Sequence, residues 1–513
     1  DKDFYDRIHN HKLKSEQALS KYLKENRDKF LFNSKDFECF QQYLNTNLSK
    51  EDKEKIIKIA DNAIEGRLYY FSHWNANCEY PINWHRNPIS GYVWPKNKHW
   101  VDIEELSKSS GDVKYVWEAS RFSQVYYFVR AYVITKDEKY AKAYWEQIEH
   151  WIKENPYELG INWKCGQEIS FRTFAWIFGL YAFLDSPYTT ESRIFMIIKN
   201  IYYNAIRIEK NIDFAIKAVQ NNHAISEAAG IFTVGVLFPF FKDSKRLLNK
   251  GMKYLEQEGL KQIYDDGSYI QNSMNYHRLM LQDYAWCYRL AELNGIKFSK
   301  ILTQKIRLAI NFLYQMQDEI SGKVPNYGAN DGALIFQLTS CDYLNYKPQL
   351  NTINYIINGR KLYERGKHEE ELLWFCGTEA IKSKNIAEVV KKPSRFDIGG
   401  YYVIRGKDSF GMIRCTKYKH RPGHADMLHF DLWYKGKNVL VDVGSYSYNP
   451  SEEKFRNYFN STKNHNTITI NDKEQIRKGP RFLTLDWPEG FLNDFRVEQN
   501  KIFFSGYHTA YNN

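Results

Sequence analysis

The helical period of this sequence is clearest at residues 140–152, which read YAKAYWEQIEHWI. The apolar side chains recur at steps of three and four residues, as they must if one face of an α-helix is buried. Similar apolar stripes, separated by clusters of Gly, Pro, Asn and Asp, occur at residues 55–70, 115–135, 170–185, 192–206, 224–240, 280–294 and 304–316. Because no fixed repeat of about 34 or 40 residues relates them, we predict helical hairpins curled into an incomplete (α/α) toroid rather than a regular solenoid.

Beyond residue 383 the pattern changes from the helical period to a period of two. The alternating segments are rich in β-branched and aromatic residues, and turn residues separate them. The clearest of these segments are Tyr401–Arg405, Phe430–Tyr434 and Thr467–Ile470. Turns are predicted at Lys435-Gly436-Lys437-Asn438 and at Asn471-Asp472. This part of the chain is therefore predicted to form an antiparallel sheet.

The change of period predicts two domains, which a chain of 513 residues is long enough to form. Between them, Lys391-Lys392-Pro393-Ser394 has the composition of a linker. The predicted fold is multi-domain α + β, with the toroid at residues 1–385 and a sandwich-like antiparallel β-sheet domain at residues 395–513. Because the alternation still runs at Asn513, we expect the sheet domain to be truncated.

The charge of the chain favours an anionic partner. With 72 Lys and Arg against 61 Asp and Glu, the net charge is +11, and such a field attracts polyanions over about a Debye length, ~8–10 Å. The sequence has no basic run, zinc-finger spacing or aromatic–basic RNA motif, which argues against nucleic acid. It has no apolar stretch near about eighteen residues, so no membrane span is predicted. The seven cysteines are scattered and predict neither a disulfide framework nor a four-cysteine metal site.

One candidate site is the run Asn221-Asn222-His223, directly before the apolar segment Ala224–Phe241. Removing the proton next to a uronate carboxylate requires a donor that neutralises the carboxylate, a base for the proton and an acid for the leaving oxygen. Polar side chains at a helix N-terminus can face a bound anion. A helix N-cap is the commoner explanation of an asparagine at such a place.

A second candidate is Tyr276, in the run Asn275-Tyr276-His277-Arg278 that follows the turn Asp265-Asp266-Gly267-Ser268. A phenol near a cation can become acidic enough to act as a base and then as an acid. Tyr276 is, however, one of 39 tyrosines, most of which are expected to be structural.

A third candidate comprises His424-Ala425-Asp426, Asp442 and His465. Two histidines and one aspartate on neighbouring strands suit a borderline metal ion, with a fourth position open to water or another ligand. The spacings of 18 and 23 residues between His424, Asp442 and His465 match no compact metal motif.

Taken together and in order, six stretches of this chain resemble the heparinase II/III family of polysaccharide lyases. They run from about residue 84 to 470 and are, in order, GDVKYVWEASR (111–121), GINW (160–163), NH with EAAG (222–223, 227–230), DGS with NYHR (266–268, 275–278), PNYG with NDG (325–328, 330–332), and HAD with VD (424–426, 441–442). The stretch His424 to Phe430 looks closest to the heparin-sulfate lyase, or heparinase III, branch.

This resemblance implies cleavage of an acidic, uronic-acid-containing glycosaminoglycan, similar to heparan sulfate or heparosan, by β-elimination to 4,5-unsaturated uronate products. It implies that Asn222 neutralises the uronate carboxylate, with His223 beside it as a partner or second base, and that Tyr276 is a general acid and also a base for one epimer. The residues it places along the cleft are Glu118, Arg121, Gln167, Glu168 and Arg278. Since such polymers lie outside the cytoplasm, a periplasmic or secreted location is expected.

The resemblance also implies a divalent metal ion that braces the sheet against the toroid. Its ligands would be His424, Asp442 and His465, and the ion would be zinc, with calcium as an alternative. Many family members have a further histidine two residues before the His-Ala-Asp run, where this chain has Pro422. Either His424 is itself the catalytic base, or His420 substitutes, or Tyr276 works alone.

Other functions remain open from the sequence. One is a lyase acting on alginate or another uronate polysaccharide. Another is a toroid hydrolase, which needs two carboxylic acids across the sugar, supplied from Glu118, Glu168, Asp265 and Asp266. A third is a non-catalytic polysaccharide-binding or exopolysaccharide-processing protein of the same fold. The sequence does not indicate an oligomeric state.

Overall fold

The computed structural model describes residues 2–105, 107, 109–445, 452–477, 479 and 483–512. Its α-helices are α1 (Lys2–Tyr5), α2 (Glu16–Glu25), α3 (Phe37–Asn47), α4 (Lys50–Ile64), α5 (Lys114–Ser120), α6 (Gln124–Thr135), α7 (Lys139–Glu154), α8 (Gly166–Ala182), α9 (Glu191–Phe214), α10 (Asn222–Leu237), α11 (Ser244–Gln262), α12 (Met274–Leu293), α13 (Lys300–Gln315), α14 (Lys347–Asn358), α15 (Glu370–Lys382) and α16 (Glu453–Asn460). Its strands are β1 (Arg67–Tyr70), β2 (Trp74–Asn77), β3 (Ser394–Phe396), β4 (Tyr401–Arg405), β5 (Ser409–Arg414), β6 (Phe430–Tyr434), β7 (Lys437–Leu440), β8 (Gly490–Glu498) and β9 (Lys501–His508).

The helical region is an (α/α) toroid, as the periodicity predicts, and two of its helices, α8 and α10, lie inside it. Every residue of α8 is buried, and α10 is buried along almost its whole length, because apolar residues are spread over all sides of both helices. Helix α10 packs against α8, α9, α11 and α12, and α14 packs against α12, α13 and α15. Helix α3 contacts both α15 and α6, so the late helices of the array meet the early ones.

The apolar stripe at residues 55–70 does not form one helix, and this prediction was wrong. Helix α4 ends at Ile64, and Gly66 adopts a φ of +80°, where a Cβ would collide with the backbone of Glu79. The next residues pair as β1 with β2. In the sequence, Leu68 follows Ile64 by four residues and so continues the helical spacing, although Leu68 and Tyr70 are buried at alternate positions of this short strand.

Strands β3 to β7 form one antiparallel sheet in sequence order. Two predicted strands, Tyr401–Arg405 and Phe430–Tyr434, are β4 and β6 with the predicted bounds. The turn between β6 and β7 is at Lys435 and Gly436, which have φ values of 48° and 77°. Two successive positive φ values are typical of a two-residue hairpin turn whose twist matches that of the strands.

The prediction of a strand at Thr467–Ile470 was wrong. This segment is irregular, and Ile470 forms an isolated bridge with Lys473 across the turn at Asn471 and Asp472. That turn was predicted, and both residues have positive φ, which Asn and Asp tolerate better than most residues.

The two faces of the sheet are covered by different parts of the chain. On one face, Tyr402 packs against Phe495 and Phe504 of the β8–β9 hairpin, which makes a second layer. On the other, the ring of Phe312 in α13 lies 4.8 Å from Phe396 and 5.0 Å from Tyr401, measured between centroids. The sheet domain is therefore sandwich-like, and it is packed directly on the toroid.

Arg414 is the polar centre of the contact between sheet and toroid. It ends β5, and its side chain is 0% exposed. The guanidinium carbon lies 3.7 Å from the centroid of the Tyr401 ring, which is cation–π distance. The guanidinium donates to the Gly400 carbonyl at 3.0 Å, to the Tyr327 hydroxyl at 2.9 Å and to the Asn272 amide oxygen at 3.3 Å. One side chain thus satisfies acceptors from both domains.

No helix in the described ranges is long and apolar enough to cross a membrane. All seven cysteines lie within those ranges and are free thiols. Cys78, Cys287 and Cys415 are buried, and Cys39 is exposed.

We expect Arg414→Met to lower the free energy of unfolding by about 2–4 kcal/mol, because methionine keeps part of the packing but leaves buried acceptors without a donor. Urea unfolding followed by tryptophan fluorescence measures this. Arg477→Met is the control, since Arg477 is exposed and pairs with Asp486 at the surface, where ion pairs contribute little. Equal unfolding midpoints for Arg414→Met and the unsubstituted protein would contradict the bridging role.

Candidate functional site

A cleft lies where the toroid meets the sheet domain. The N-terminal ends of α8, α10 and α12 reach it from the toroid, and residues 420–424 of the loop between β5 and β6 reach it from the sheet domain. The predicted site residues that line it are Arg121, Gln167, Glu168, Asn222, His223, Tyr276 and His424. The four residues predicted to be catalytic, scattered over about two hundred positions of sequence, therefore share one cavity.

At the start of α10, one asparagine caps the helix and the next one lines the cleft. A π-helical turn, Ala215–Val219, and a left-handed Gln220 turn the chain before the helix begins. Asn221 is the N-cap, and its side-chain oxygen accepts the backbone N–H of His223 at 2.9 Å. Asn222 follows it, 2% exposed and lining the cleft, with its backbone N–H donated to Gln271 at 3.0 Å. The capping interpretation thus applies to Asn221 and leaves Asn222 for another role.

His223 lies beside Asn222 with a neutral imidazole. Burial lowers the pKa of His223 to about 4, the charges of Lys114 and Arg121 act in the same direction, and Glu168 opposes them. The Nδ1 atom is 3.8 Å from the Cys165 sulfur. At neutral pH this imidazole is unprotonated, so it has a lone pair with which to accept a proton.

Tyr276 lies in the first turn of α12, where Ser273 caps the helix by accepting the Tyr276 backbone N–H at 3.1 Å. The Tyr276 hydroxyl donates to Asp331 at 2.9 Å. Burial raises the pKa of Tyr276 well above its ordinary value, although the nearby Arg121 and Arg421 act to lower it. The cations expected to acidify this phenol are therefore present, but burial outweighs them, and the phenol keeps its proton at neutral pH.

Arg121 is held by two carboxylates beneath the cleft. Its Nη2 donates to Glu168 at 2.7 Å, and its Nη1 lies 2.8 Å from Glu118. Burial alone would raise the pKa of Glu168, but Arg121 more than reverses this and keeps the carboxyl ionised. Glu118 also accepts the backbone N–H of Phe71 at 3.1 Å.

Glu118 and Arg278 are not among the described residues that line the cleft, in contrast to the prediction. Glu118 lies behind Arg121, as its contacts show. Arg278 is 1% exposed and stacks between two rings, with its guanidinium carbon 4.3 Å from the centroid of Tyr343 and 4.1 Å from that of Tyr346. Sequence spacing along α12 does not reveal that Arg278 points away from Tyr276.

A buried cluster in the sheet domain could hold a metal ion. His424, Asp426, Asp442 and His465 each offer a ligand atom, and these atoms all lie within 4.8 Å of one another. His465 Nδ1 is 2.7 Å from Asp442 Oδ2, and His424 Nδ1 is 3.8 Å from Asp426 Oδ2. Two imidazoles and two carboxylates are a donor set that suits a divalent ion such as zinc.

The electrostatics of this cluster favour ionised carboxylates. Burial would raise the pKa of Asp442, but its hydrogen bond with His465 and the neighbouring imidazoles lower it to about 2. Asp426 stands in the quoted His-Ala-Asp run, yet the predicted ligand set did not include it. His424 belongs both to this cluster and to the cleft lining, and its ring stacks on His465 at a centroid distance of 4.7 Å.

The carboxylates do not fit the hydrolase alternative. Asp266 accepts the backbone N–H groups of Ile398 and Gly399 at 2.7 and 2.9 Å, so it helps to join the two domains. Asp265 is exposed and pairs with Lys305. Among the described lining residues the carboxylates are Glu168 and Asp331, and each is in an ion pair. A hydrolase needs a protonated acid opposite a second carboxylate, and the lowered pKa of Glu168 opposes that role.

Several lining residues had no role in the sequence prediction. Among them are Lys114, Gln271, Asp331 and Arg421. Lys114 and Asp331 stand within two of the stretches that carry the family resemblance, which was the available signal. His420, one of the three alternatives for the base, also lines the cleft, and burial followed by the charge of Arg421 lowers its pKa.

Comparison with known proteins identifies matches along almost the whole chain. The family model described as "Heparinase II/III N-terminus" matches residues 2–332, and that described as "Heparinase II/III-like, C-terminal" matches residues 389–513. A heparin-sulfate lyase of Bacteroides stercoris is 26% identical over 447 residues, which cover 81% of this chain and 60% of that protein. A heparin-sulfate lyase of Pedobacter heparinus is 25% identical over 374 residues, covering 70% of this chain and 52% of that protein. This chain thus spans a little over half the length of these relatives.

Solved structures share the fold. A crystal structure of heparinase III superposes with a TM-score of 0.64 at 18% identity, covering 97% of this chain and 74% of that one. The heparan sulfate lyase HepC from Pedobacter heparinus superposes with a TM-score of 0.58 at 19% identity, covering 100% of this chain and 75% of that one. The toroid followed by a β domain is therefore a shared architecture.

We expect the imidazole of His223 to titrate with a midpoint near a pH of about 4 in NMR spectra, because burial favours its neutral form. Its signal is identified by its absence from His223→Gln, and His73→Gln, at an exposed histidine, should leave it in place. Since the pKa is lowered in the folded state, the unfolded state binds more protons as the pH falls from 6.5 towards about 4, and stability falls over that range. His223→Gln should lose less stability there. A midpoint near 6.5 would contradict the conclusion that burial keeps the His223 imidazole neutral.

Proposed function

This chain belongs to the heparinase II/III family, and on that premise we propose that it is a lyase that cleaves a heparan sulfate-like, uronate-containing polysaccharide by β-elimination. The observation that carries the proposal is the convergence of an amide, a neutral imidazole and a protonated phenol, from Asn222, His223 and Tyr276, on one cleft. The relatives named above as heparin-sulfate lyases support the substrate class.

In the proposed reaction, Asn222 donates a hydrogen bond to the uronate carboxylate and so stabilises the negative charge that develops when C5 loses its proton. His223 takes that proton, because its imidazole is neutral. Tyr276 gives its phenolic proton to the leaving oxygen on C4. The C5–H and C4–O bonds break, a C4–C5 double bond forms, and each proton has a named acceptor.

The net positive charge of the chain attracts an anionic polymer. The net charge of the chain is +11, and Lys114, Arg121 and Arg421 line the cleft. Lys114 and Arg121 are paired with carboxylates, so the long-range attraction is attributed to the net charge of the chain and not to these two side chains. Because uronate polysaccharides lie outside the cytoplasm, we propose a periplasmic or secreted location for the protein.

We assign His424 to the metal cluster rather than to proton transfer. It is 4% exposed and lies within reach of Asp426, Asp442 and His465. When bound, a divalent ion, in our proposal zinc, would neutralise the two carboxylates of the cluster. The contacts among these four residues hold the loop that carries His424 in place at the cleft.

We expect a rise in ultraviolet absorbance, from the conjugated double bond, when the protein is incubated with heparan sulfate or heparosan. Asn222→Ala and Tyr276→Phe should lower kcat by about 10²–10⁴-fold, because each removes a group needed in the transition state. The matched controls Asn249→Ala and Tyr254→Phe, on the surface of α11, should keep full activity.

The same assay distinguishes the alternatives when heparin, chondroitin sulfate, hyaluronan and alginate are included. A rise with alginate alone would replace the proposed substrate. New reducing ends without absorbance would indicate a hydrolase. Binding without any cleavage, equal in Asn222→Ala and the unsubstituted protein, would indicate a polysaccharide-binding protein.

We expect the purified protein to carry about one equivalent of a divalent metal ion, measured by inductively coupled plasma mass spectrometry. Asp442→Asn and His465→Ala should lose it and should lower the melting temperature, because the buried cluster loses ligands. Asp472→Asn and His73→Ala, at exposed positions, should retain the metal. Equal metal content in all five proteins would exclude the cluster as the binding site.

A further inference from the structure

We propose that Asp331, paired with Lys114, is a positioning residue that sets the orientation and the proton affinity of the Tyr276 phenol. The consequence for the rate rests on the function proposed above. The effect on the phenol itself does not, because it is a property of the protein without substrate.

The Asp331 carboxylate is fixed at four points. Its Oδ2 accepts the Tyr276 hydroxyl at 2.9 Å and is in contact with the Lys114 ammonium. Its Oδ1 accepts the backbone N–H of Ala333 at 3.1 Å and the side-chain amide of Asn275 at 3.4 Å. The side chains of Asp331 and Lys114 are 4% and 11% exposed. A carboxylate held in this way defines one position for the phenolic oxygen.

A further layer of contacts holds Asn275. Its side-chain oxygen accepts the Tyr343 hydroxyl at 2.7 Å and the Arg278 Nη2 at 2.9 Å. Arg278 is in turn stacked between Tyr343 and Tyr346. Arg278, which was predicted to touch substrate, instead lies two contacts behind Asp331 and supports it.

The loop that carries Asp331 has little freedom to move. Gly332 has a φ of +75°, and a Cβ there would collide with the backbone of Phe71. Its backbone N–H is donated to the Asn330 side chain at 3.0 Å. Because L side chains rarely adopt that φ, glycine at this position allows the tight turn that points Asp331 at Tyr276.

The positive charge of Lys114 is needed because the Asp331 carboxylate without it would oppose the formation of a Tyr276 phenolate. When Tyr276 gives its proton to the leaving oxygen, the phenolate that remains lies beside Asp331, and two like charges at that distance repel. The ammonium on the same carboxylate oxygen offsets this repulsion. Asp331 therefore orients the hydroxyl before the reaction, and Lys114 keeps that orientation from opposing proton transfer.

Other charges also face the phenol, and they nearly balance. The positive groups are Lys114, Arg121 and Arg421, and the negative groups are Asp112, Glu168 and Asp331. With such a balance, removing one charge shifts the proton affinity of Tyr276 in a direction that electrostatics predicts.

The test uses Asp331→Asn, Lys114→Met and the double variant. Asp331→Asn keeps the shape but removes the negative charge, so the Tyr276 phenol should ionise at lower pH than in the unsubstituted protein. Lys114→Met removes the positive charge, so ionisation should move to higher pH. The readout is the NMR signal of 13C-labelled tyrosine, assigned by its absence from Tyr276→Phe. Shifts in the same direction, or no shift in either variant, would overturn the proposal.

The activity arm separates positioning from binding and from folding. Lys114→Met should lower kcat by about 10–100-fold with KM changed by less than about threefold, and Lys114→Arg should restore most of the loss. The double variant Lys114→Met/Asp331→Asn should be more active than Lys114→Met alone, because the uncompensated carboxylate is gone. Losses that multiply in the double variant would overturn the proposal.

Controls at exposed positions are Asp342→Asn and Lys245→Met, which should change neither the phenol signal nor kcat.

If the unsubstituted protein cleaves no polysaccharide, the proposed function fails, and the opposite NMR shifts still decide the role of Asp331. If cleavage is normal but the shifts do not occur, the positioning role fails alone. A variant that unfolds, seen as a lost melting transition, is replaced by Lys114→Gln, which is judged by the same two readouts.

Discussion

The architecture depends on one constraint: the cleft exists only while the sheet domain is held on the toroid, and a buried arginine is central to that contact. Arg414 stacks on Tyr401 and bonds to acceptors on both sides of the boundary. A side chain that must satisfy several buried partners at once allows few relative placements of the two domains. The aromatic contacts of Phe312 and the Asp266 carboxylate act at the same boundary.

The toroid contributes the reactive groups in a way that follows from its helical layers. Successive inner helices present their N-terminal ends to one side, so residues near the start of α8, α10 and α12 converge although they are far apart in the chain. The sheet domain adds the loop that carries His424 and closes the other wall of the cleft.

Local patterns were sufficient to predict much of the fold, and long-range contacts explain most of what was missed. Strand β4 has its predicted bounds because a short run of aromatic and β-branched residues, ended by Gly406, favours a strand that is buried on both faces. The segment at residues 55–70 was misassigned because a four-residue strand is too short to separate the two periods. The convergence of Asn222 and Tyr276 was expected from family resemblance. The pairing of Lys114 with Asp331 was not, since these residues are 217 positions apart and nothing in the two stretches that contain them indicates that they meet.

The tandem asparagines at the start of α10 have a consequence for how such proteins diversify. Because Asn221 supplies the N-cap of α10, the neighbouring Asn222 amide is not needed to begin the helix, and selection can act on it for chemistry. If the chain binds a polysaccharide as proposed, loss of the Asn222 amide would leave a folded cleft that can still bind it. On this scaffold, a single substitution could therefore separate an enzyme from a protein that only binds its polysaccharide.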